Sequence, residues 1–203
     1  MTDPHHARPP LSLIHKKLPG WDVDLYIGGR EAVSTPALLE QHDIKIIVNC
    51  AVNFDVNLIG ASQPVEDGRL ASGPGFPRYY KLGLVDGPGN ADTMLLAGYY
   101  LLRGALSQTF PEKPSYPHRD KGNVLVNCRA GRSRSVAIVS LFLHLEMPEL
   151  YPTLATAIDH VRVKRELQPD EWYETPKPML VHAAERAAEM IRAVEAAKSK
   201  AVA

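Results

Sequence analysis

Apolar and polar positions follow two different patterns along the chain. Short apolar runs predict β-strands at 24–27, 44–48, 79–85 and 124–126. The run at 24–27 is interpreted as an edge strand. Apolar residues at steps of three and four predict amphipathic helices at 91–110, 154–165 and about 178–200, and a strongly apolar stretch predicts a helix at 134–145. A hydroxyl cap and a proline at 34–36 predict a short helix at 37–43. Strands that alternate with helices indicate an α/β fold in which helices cover a small central sheet.

The segments between these elements divide the chain into an arm, one domain and a tail. Polar residues and prolines predict a flexible N-terminal arm over 1–20, before a domain at 21–197 and a tail at 198–203. Glycine, proline, asparagine and serine predict a loop at 52–78. A proline-punctuated insert at 111–123 is expected to be a surface loop that shapes access for the substrate.

Composition removes several classes of function. The 203 residues are 45% hydrophobic, which is typical of a folded domain. Because 23 basic side chains balance 23 acidic ones, we expect no nucleic-acid binding through an overall basic field. The chain has no apolar run of the length of a membrane span or a signal-peptide core, so we expect no stable membrane insertion. Two cysteines form no disulfide framework, which favours the reducing cytoplasm.

One predicted strand end carries a concentration of reactive and charged side chains. The strand at 124–126 leads through CRAGRSRS at 128–135 into a predicted helix. Backbone N–H groups at such a junction point inward and bind a multiply charged oxyanion. Gly131 permits a backbone angle that a side chain would resist, and small neighbours leave the concavity open. This pattern predicts a phosphate cradle.

Cys128 lies at the base of this cradle. A helix N-terminus and nearby cations lower the pKa of a thiol, and the thiolate is a nucleophile. The planar guanidinium of Arg134 can hold two phosphate oxygens at once. The alternative is a buried structural cysteine, but apolar packing does not explain three arginines in one short loop.

These residues resemble a known family, the cysteine-dependent protein tyrosine phosphatases, in their dual-specificity branch. Cys-x5-Arg alone is shared with rhodanese-like and low-molecular-weight phosphatases, but the low-molecular-weight type carries it near the N-terminus. The resemblance extends over roughly 22–195 and implies a three-layer fold with a small mixed sheet flanked by helices. Besides CRAGRSRS it rests on DLYIGG at 24–29, IKIIVNCA at 44–51, YYKLGLVD at 79–86 and RELQPDE at 165–171.

The resemblance and the chemistry together imply the catalytic roles. Cys128 is the expected nucleophile, which forms a phosphocysteine intermediate. Asp86 is the expected general acid; the alternatives are that Asp86 is only a turn residue, or that Asp92 is the acid. Ser135 is expected to hydrogen-bond the sulfur and to help it leave. The expected phosphate-binding residues are Arg129, Ala130, Gly131, Arg132, Ser133 and Arg134.

Three positions near the site need separate interpretation. Asn127 stands where the family usually has a histidine, so the pH profile is expected to differ. The resemblance implies that Asn49 supports the active-site loops. Cys50 is interpreted as a small buried residue, with a protective disulfide to Cys128 as the alternative.

The resemblance predicts a phosphatase with no metal and no organic cofactor; the eight histidines have no metal-ligand spacing such as H-E-x-x-H. The favoured substrates are phosphotyrosine and phosphoserine or phosphothreonine on proteins. Alternatives are a non-protein substrate such as phosphatidylglycerophosphate or a phosphoinositide, and a catalytically weak phosphate-binding module. Arg129 and Arg132 are expected to point toward substrate or solvent, and the protein is expected to be a monomer.

Overall fold

The computed structural model describes residues 6–59, 73 and 75–202. Most predicted elements are present with small shifts of their ends. The strands are β1 (Leu11–His15), β2 (Leu25–Gly28), β3 (Ile44–Ala51), β4 (Arg78–Leu84) and β5 (Asn123–Asn127). The helices are α1 (Arg30–Val33), α2 (Pro36–Gln41), α3 (Thr93–Ser107), α4 (Arg134–Glu146), α5 (Leu154–Lys164) and α6 (Pro178–Val202), with a 3₁₀ helix at Pro169–Glu174.

The five strands form one mixed sheet in the order β1-β2-β5-β3-β4. Strands β2, β5, β3 and β4 are parallel, and β1 pairs antiparallel with β2. The run at 24–27 was predicted to be an edge strand, and this is wrong because β1 covers that edge of β2. The four parallel strands therefore direct their carboxyl ends to the same edge of the sheet.

Alternating residues of the sheet face two separate apolar layers. In β5, Val124 and Val126 pack in the large core together with residues of α3, α4, α5 and α6. Leu125 belongs to a smaller cluster with Ala32 and Leu39 from α1 and α2. Because side chains of a strand point alternately to either face, one apolar strand can serve both layers. The predicted three-layer fold, with helices on both sides of the sheet, is confirmed.

Helix α4 is buried against the sheet and carries the loop of the predicted site at its N-terminus. Its residues from Arg134 to His144 are all buried, which explains the nearly continuous apolar sequence of this helix. Phe142 is fully buried among them. A helix enclosed on all sides is apolar all round, and its first turn is consequently fixed relative to the sheet.

The N-terminal segment departs from its prediction. A flexible arm was predicted over 1–20, but residues 11–15 form the strand β1, and Ile14 is 2% exposed. Alternation of buried and half-buried residues in this strand is a period-two pattern that proline and polar neighbours obscured. Of the predicted loop at 52–78, residues 60–72 and 74 lie outside the described residues.

The insert predicted at 111–123 ends where β5 begins, at Asn123, and it lies on the surface as predicted, since nearly all side chains at 111–121 are exposed. The expectation that it shapes access for the substrate finds no support, because none of its residues lines the cavity beyond the carboxyl ends of the strands. Within the described ranges, no helix combines the length and the apolar character needed to cross a membrane.

Candidate active site

The carboxyl ends of the four parallel strands surround one cavity of about 430 Å³. Ligands of open α/β sheets bind outside these strand ends. Each strand contributes the residues that follow it, so segments far apart in the chain share this site. The lining residues are Arg30, Asn53, Asp86, Cys128, Arg129, Ala130, Arg132, Ser133 and Arg134.

The loop from β5 to α4 forms the floor of the cavity and needs glycine at one position. Gly131 has a φ of +68°, in the left-handed region that favours glycine. A Cβ atom at this position would lie 2.5 Å from the carbonyl oxygen of Gly28. The loop therefore packs directly against the end of β2 through backbone alone.

Cys128 is 2% exposed and receives several hydrogen bonds. Its Sγ lies 3.3 Å from the amide nitrogen of Gly131 and 3.3 Å from Oγ of Ser135. Burial acts to raise the pKa of the Cys128 thiol. The hydrogen bonds from the Ser135 side chain and from the Ser135 and Ser133 amides, together with the Arg134 charge, outweigh burial and lower that pKa below its ordinary value. These contacts favour the thiolate form of Cys128 over the form that burial alone would favour.

Arg134 is 3% exposed and is anchored from one side of its guanidinium. Both of its hydrogen bonds start from Nη1, which donates to Oδ1 of Asn53 at 2.9 Å and to the carbonyl oxygen of Leu84 at 3.1 Å. Its buried Nε has no hydrogen-bond partner among the described residues. The anchored side fixes the plane of the group, and the other edge retains donors for a bidentate contact with an oxyanion.

Asp86 and Asp92, the two candidates for the general acid, are in different places. Asp86 lines the cavity, and its buried Oδ1 has no hydrogen-bond partner among the described residues. Asp92 precedes α3 on the surface, where it accepts a hydrogen bond from Arg186 at 2.7 Å. The structure therefore brings Asp86, and not Asp92, together with Cys128.

The short loop that carries Asp86 is fixed by two further side chains. Oδ1 of Asn90 accepts from the amide of Val85 at 2.8 Å, and its Nδ2 donates to the carbonyl oxygens of Val85 and Gly87. Nζ of Lys177 donates to the carbonyl oxygen of Asp86 at 3.0 Å. Turn residues that bond their own backbone in this way hold a loop in one conformation.

Asn49 holds the loop that follows β3. Its Nδ2 donates to the carbonyl oxygen of Phe54 at 2.7 Å, and its Oδ1 accepts from the amide of Ala51 at 2.9 Å. This loop brings Asn53 to Arg134. Asn53 was not predicted from the sequence, because it lies in a stretch whose composition indicates only a loop.

Arg132 was expected to point to substrate or solvent, but two carboxylates bind its side chain. Its Nη1 lies 3.2 Å from Oε1 of Glu171, and its Nη2 lies 3.1 Å from Oε1 of Glu174. Arg132 also lines the cavity. Glu171 accepts as well from Arg8 at 2.6 Å. The sequence signal for Glu171 was the segment RELQPDE at 165–171, none of whose carboxylates could be assigned to an arginine, and Glu174 lies outside that segment.

Arg165 is a buried side chain that supports the loop from β5 to α4. It is 1% exposed, and its Nε donates to the carbonyl oxygen of Gly131 at 3.1 Å. Its Nη1 donates to Oγ of Ser12 at 2.9 Å and to the carbonyl oxygen of Pro9. The segment after α5 therefore fixes the loop through both a carbonyl group and the side chain of Arg132.

Asn127 and Cys50 lie near Cys128 and are not among the residues that line the cavity. Asn127 is fully buried, and neither of its amide atoms has a hydrogen-bond partner among the described residues. The register pairs Asn49 with Asn127, which makes Cys50 the neighbour of Cys128 across the two strands. Burial raises the pKa of the Cys50 thiol, and the charge of Cys128 raises it further. Both cysteines are free thiols.

Solved structures share this arrangement of strands and helices. The chain superposes on human DUSP28 with a TM-score of 0.59 at 20% identity, covering 92% of this chain and 97% of that one. It superposes on a mouse putative dual specificity phosphatase, complexed with zinc tungstate, with a TM-score of 0.57 at 20% identity, covering 96% of each chain. The Yvh1 phosphatase domain from Chaetomium thermophilum gives 0.61 at 18% identity, over 89% and 96%. The chain has the dual-specificity phosphatase fold.

No protein-family model matches the chain, and no curated protein matches it in sequence. The predicted fold class is confirmed nevertheless, because the dual-specificity phosphatase fold is recognised in the backbone. Among the described residues, no group of three histidine, cysteine, aspartate or glutamate side chains is placed to hold a metal ion.

Proposed function

We propose that this protein hydrolyses phosphate monoesters through a phosphocysteine intermediate on Cys128. The observation that carries the proposal is the meeting of three groups at one cavity: a buried thiol with a lowered pKa, an anchored guanidinium, and a carboxyl oxygen without a partner. These are the nucleophile, the oxyanion ligand and the proton donor that phosphoryl transfer to a thiolate needs.

In the first step the thiolate attacks phosphorus as the bond to the leaving oxygen breaks. Protonated Asp86 gives its proton to that oxygen, so the product leaves as an alcohol or a phenol. The unanchored edge of Arg134 and the loop amides bind the remaining phosphate oxygens, whose charge is spread over the transition state.

In the second step water attacks the phosphocysteine and the phosphorus–sulfur bond breaks. The Asp86 carboxylate takes a proton from that water, and inorganic phosphate is released. Sulfur leaves as a thiolate, and the hydroxyl of Ser135, 3.3 Å away, donates to it. The enzyme returns to its starting protonation state.

Two substrate classes differ in what supports them. The family resemblance favours phosphotyrosine and phosphoserine or phosphothreonine on proteins. A phosphorylated non-protein compound is favoured by the cavity lining, in which Ala130 is the only apolar residue besides Cys128 among those described. Relative kcat/KM on phosphopeptides and on phosphorylated polyols and lipids separates the two classes.

The third candidate, a phosphate-binding module with little turnover, is supported by the buried amide of Asn127 beside the nucleophile. Hydrolysis of para-nitrophenyl phosphate tests it against the proposed enzyme. We expect vanadate-sensitive turnover that Cys128→Ser abolishes and that Cys50→Ser retains. Absence of turnover at every pH from about 5 to 8 would show that the enzyme proposal is wrong.

A further inference from the structure

A second cavity, of about 200 Å³, lies directly beside the catalytic one. Arg30, Arg129 and Ala130 line both cavities, so a single layer of residues separates them. The second cavity is otherwise formed by the segment before β1, the end of β2 and the buried arginine after α5. Its lining residues are Arg8, Pro9, Pro10, Gly29, Arg30, Glu31, Arg129, Ala130 and Arg165.

The lining of this second cavity carries an excess of positive charge. It contains four arginines and one carboxylate, Glu31. Arg165 donates to two carbonyl oxygens and a hydroxyl, and no carboxylate forms an ion pair with it among the described residues. Burial, and then the neighbouring charge of Arg8, lowers the pKa of Arg165 to about 10.

Carboxylates nearby neutralise only part of this charge. Arg8 pairs with Glu171, which also pairs with Arg132, and Arg132 has Glu174 as a second carboxylate partner. Arg30 is exposed, and its side chain makes no hydrogen bond or ion pair among the described residues. A buried charge without an opposite partner is costly. An anion in the cavity would offset that cost, and a phosphate dianion matches the guanidinium groups best.

The composition of the two linings also bears on what carries the anion. The catalytic cavity has no aromatic or branched aliphatic side chain among its described lining residues. The second cavity adds only Pro9 and Pro10 to the apolar surface. A phenyl ring would find little surface to pack on, whereas the hydroxyl groups of a polyol would find arginine, asparagine, aspartate and serine side chains.

We propose that the preferred substrate is a polyol that carries two phosphate groups, one at Cys128 and the other in the second cavity. Arg30 and Arg129 lie between the two sites and contact both phosphates, while Arg8 and Arg165 contact the second one. This inference rests on the proposed phosphatase function. The same chemistry is offered by a free inositol bisphosphate and by the headgroup of a phosphoinositide.

The test compares, for each protein, kcat/KM on inositol bisphosphates with kcat/KM on the corresponding monophosphates. The second phosphate is placed on each ring position in turn. We expect the wild type to favour at least one bisphosphate by about tenfold or more, the scale of one charge-assisted hydrogen bond. Arg30→Gln and Arg8→Gln are expected to bring that ratio toward one, and Arg30→Lys to retain most of it.

Each outcome bears on a stated claim. Equal kcat/KM for every bisphosphate and its monophosphate in the wild type would overturn the inference, and so would an unchanged ratio in both Gln variants. Para-nitrophenyl phosphate carries a single phosphate and does not test the second cavity. Absence of its hydrolysis by the wild type would therefore contradict the proposed phosphatase function and not only the inference about the second phosphate.

Further substrates identify the source of the second phosphate. Phosphatidylcholine vesicles that contain a phosphatidylinositol bisphosphate distinguish a lipid headgroup from the free polyol, and a preference for either supports the proposal. A higher kcat/KM on a doubly phosphorylated peptide than on both polyol substrates would overturn it.

Discussion

The hydroxyl of Ser135 lowers the pKa of Cys128 through a hydrogen bond to sulfur. In Ser135→Ala that pKa should rise, and turnover should fall roughly tenfold because the leaving sulfur loses one hydrogen bond. The pH dependence of iodoacetate alkylation, read at Cys128 by mass spectrometry, measures the pKa. Ser140 lies in the same helix and its buried Oγ has no partner among the described residues, so Ser140→Ala should leave the alkylation midpoint in place. A midpoint common to both variants would refute this role of Ser135.

Asp86 and Asp92 can be distinguished by the dependence of rate on the leaving group. Asp86→Asn removes the proposed proton donor, so kcat should fall about 100-fold on phenyl phosphate and less on para-nitrophenyl phosphate, whose leaving group needs less protonation. Asp92→Asn breaks only an exposed pair with Arg186 and should change neither rate. The opposite result would assign the general acid to Asp92.

Asn127 can be compared with the histidine that the family usually has. In Asn127→His an imidazolium next to the nucleophile should lower the pKa of Cys128 and move the acidic limb of the pH–rate profile to lower pH. Asn127→Ala is the control, because it removes an amide that has no hydrogen-bond partner among the described residues. Identical alkylation midpoints in the wild type and Asn127→His would contradict the expectation.

The elements around the site are held together by one buried carboxylate of the 3₁₀ helix. Glu171 joins this helix to the loop from β5 to α4 through Arg132 and to the N-terminal segment through Arg8. Burial acts to raise its pKa, but hydrogen bonds from the Gln168 amide, Arg8 and Arg132 lower that pKa overall. The carboxylate is therefore the form that stabilises these contacts.

Glu171→Gln should lower the free energy of unfolding by roughly 3 kcal/mol at neutral pH, because it leaves the largely buried guanidinium of Arg8 without its carboxylate partner and removes one of the carboxylate partners of Arg132. A carboxyl with a lowered folded-state pKa stabilises the fold above its unfolded pKa, and this contribution is lost as pH falls through the folded one. The difference between wild type and variant should therefore shrink in acid, as measured by urea unfolding. Glu174→Gln, which loses a single half-buried pair, should cost at most about 1 kcal/mol. Equal losses would contradict a special role of Glu171.

The whole molecule depends on β1 to close one side of its sheet. Deleting residues 1–16 would expose the backbone of β2 and remove the buried side chain of Ile14. We expect Tm to fall by at least about 5 °C and the protein to associate in size-exclusion chromatography. Removing residues 199–203, of which 199–201 are exposed in α6, should change neither property. An unchanged Tm after deletion of residues 1–16 would contradict this role of β1 and would support the predicted flexible arm.

The sequence was sufficient for the elements because their patterns are local. Apolar residues at period two or at three- and four-residue steps mark the strands and helices wherever each element has its own buried face. The strand β1 escaped this reasoning because it is short and follows several prolines. The loop from β5 to α4 could also be predicted from the sequence, since Cys128, Gly131 and Arg134 lie within seven consecutive residues.

Contacts between distant segments could not be predicted from local sequence patterns. Asn53 anchors Arg134 across 81 residues, and Arg8 reaches Glu171 across 163. No spacing in the sequence indicates either contact, because each depends on how the strand ends and the final helices pack. The second cavity belongs to the same category, as its walls come from four separate segments.

The sequence by itself therefore determined the order of elements and pointed to Cys128 and the loop after it as the candidate site, because these are properties of neighbouring residues. Only the tertiary structure decided that Asp86 and not Asp92 shares the cavity with Cys128, and that four arginines meet beside it. The physical reason is that parallel strands bring their carboxyl ends to one edge of the sheet, whatever their separation along the chain.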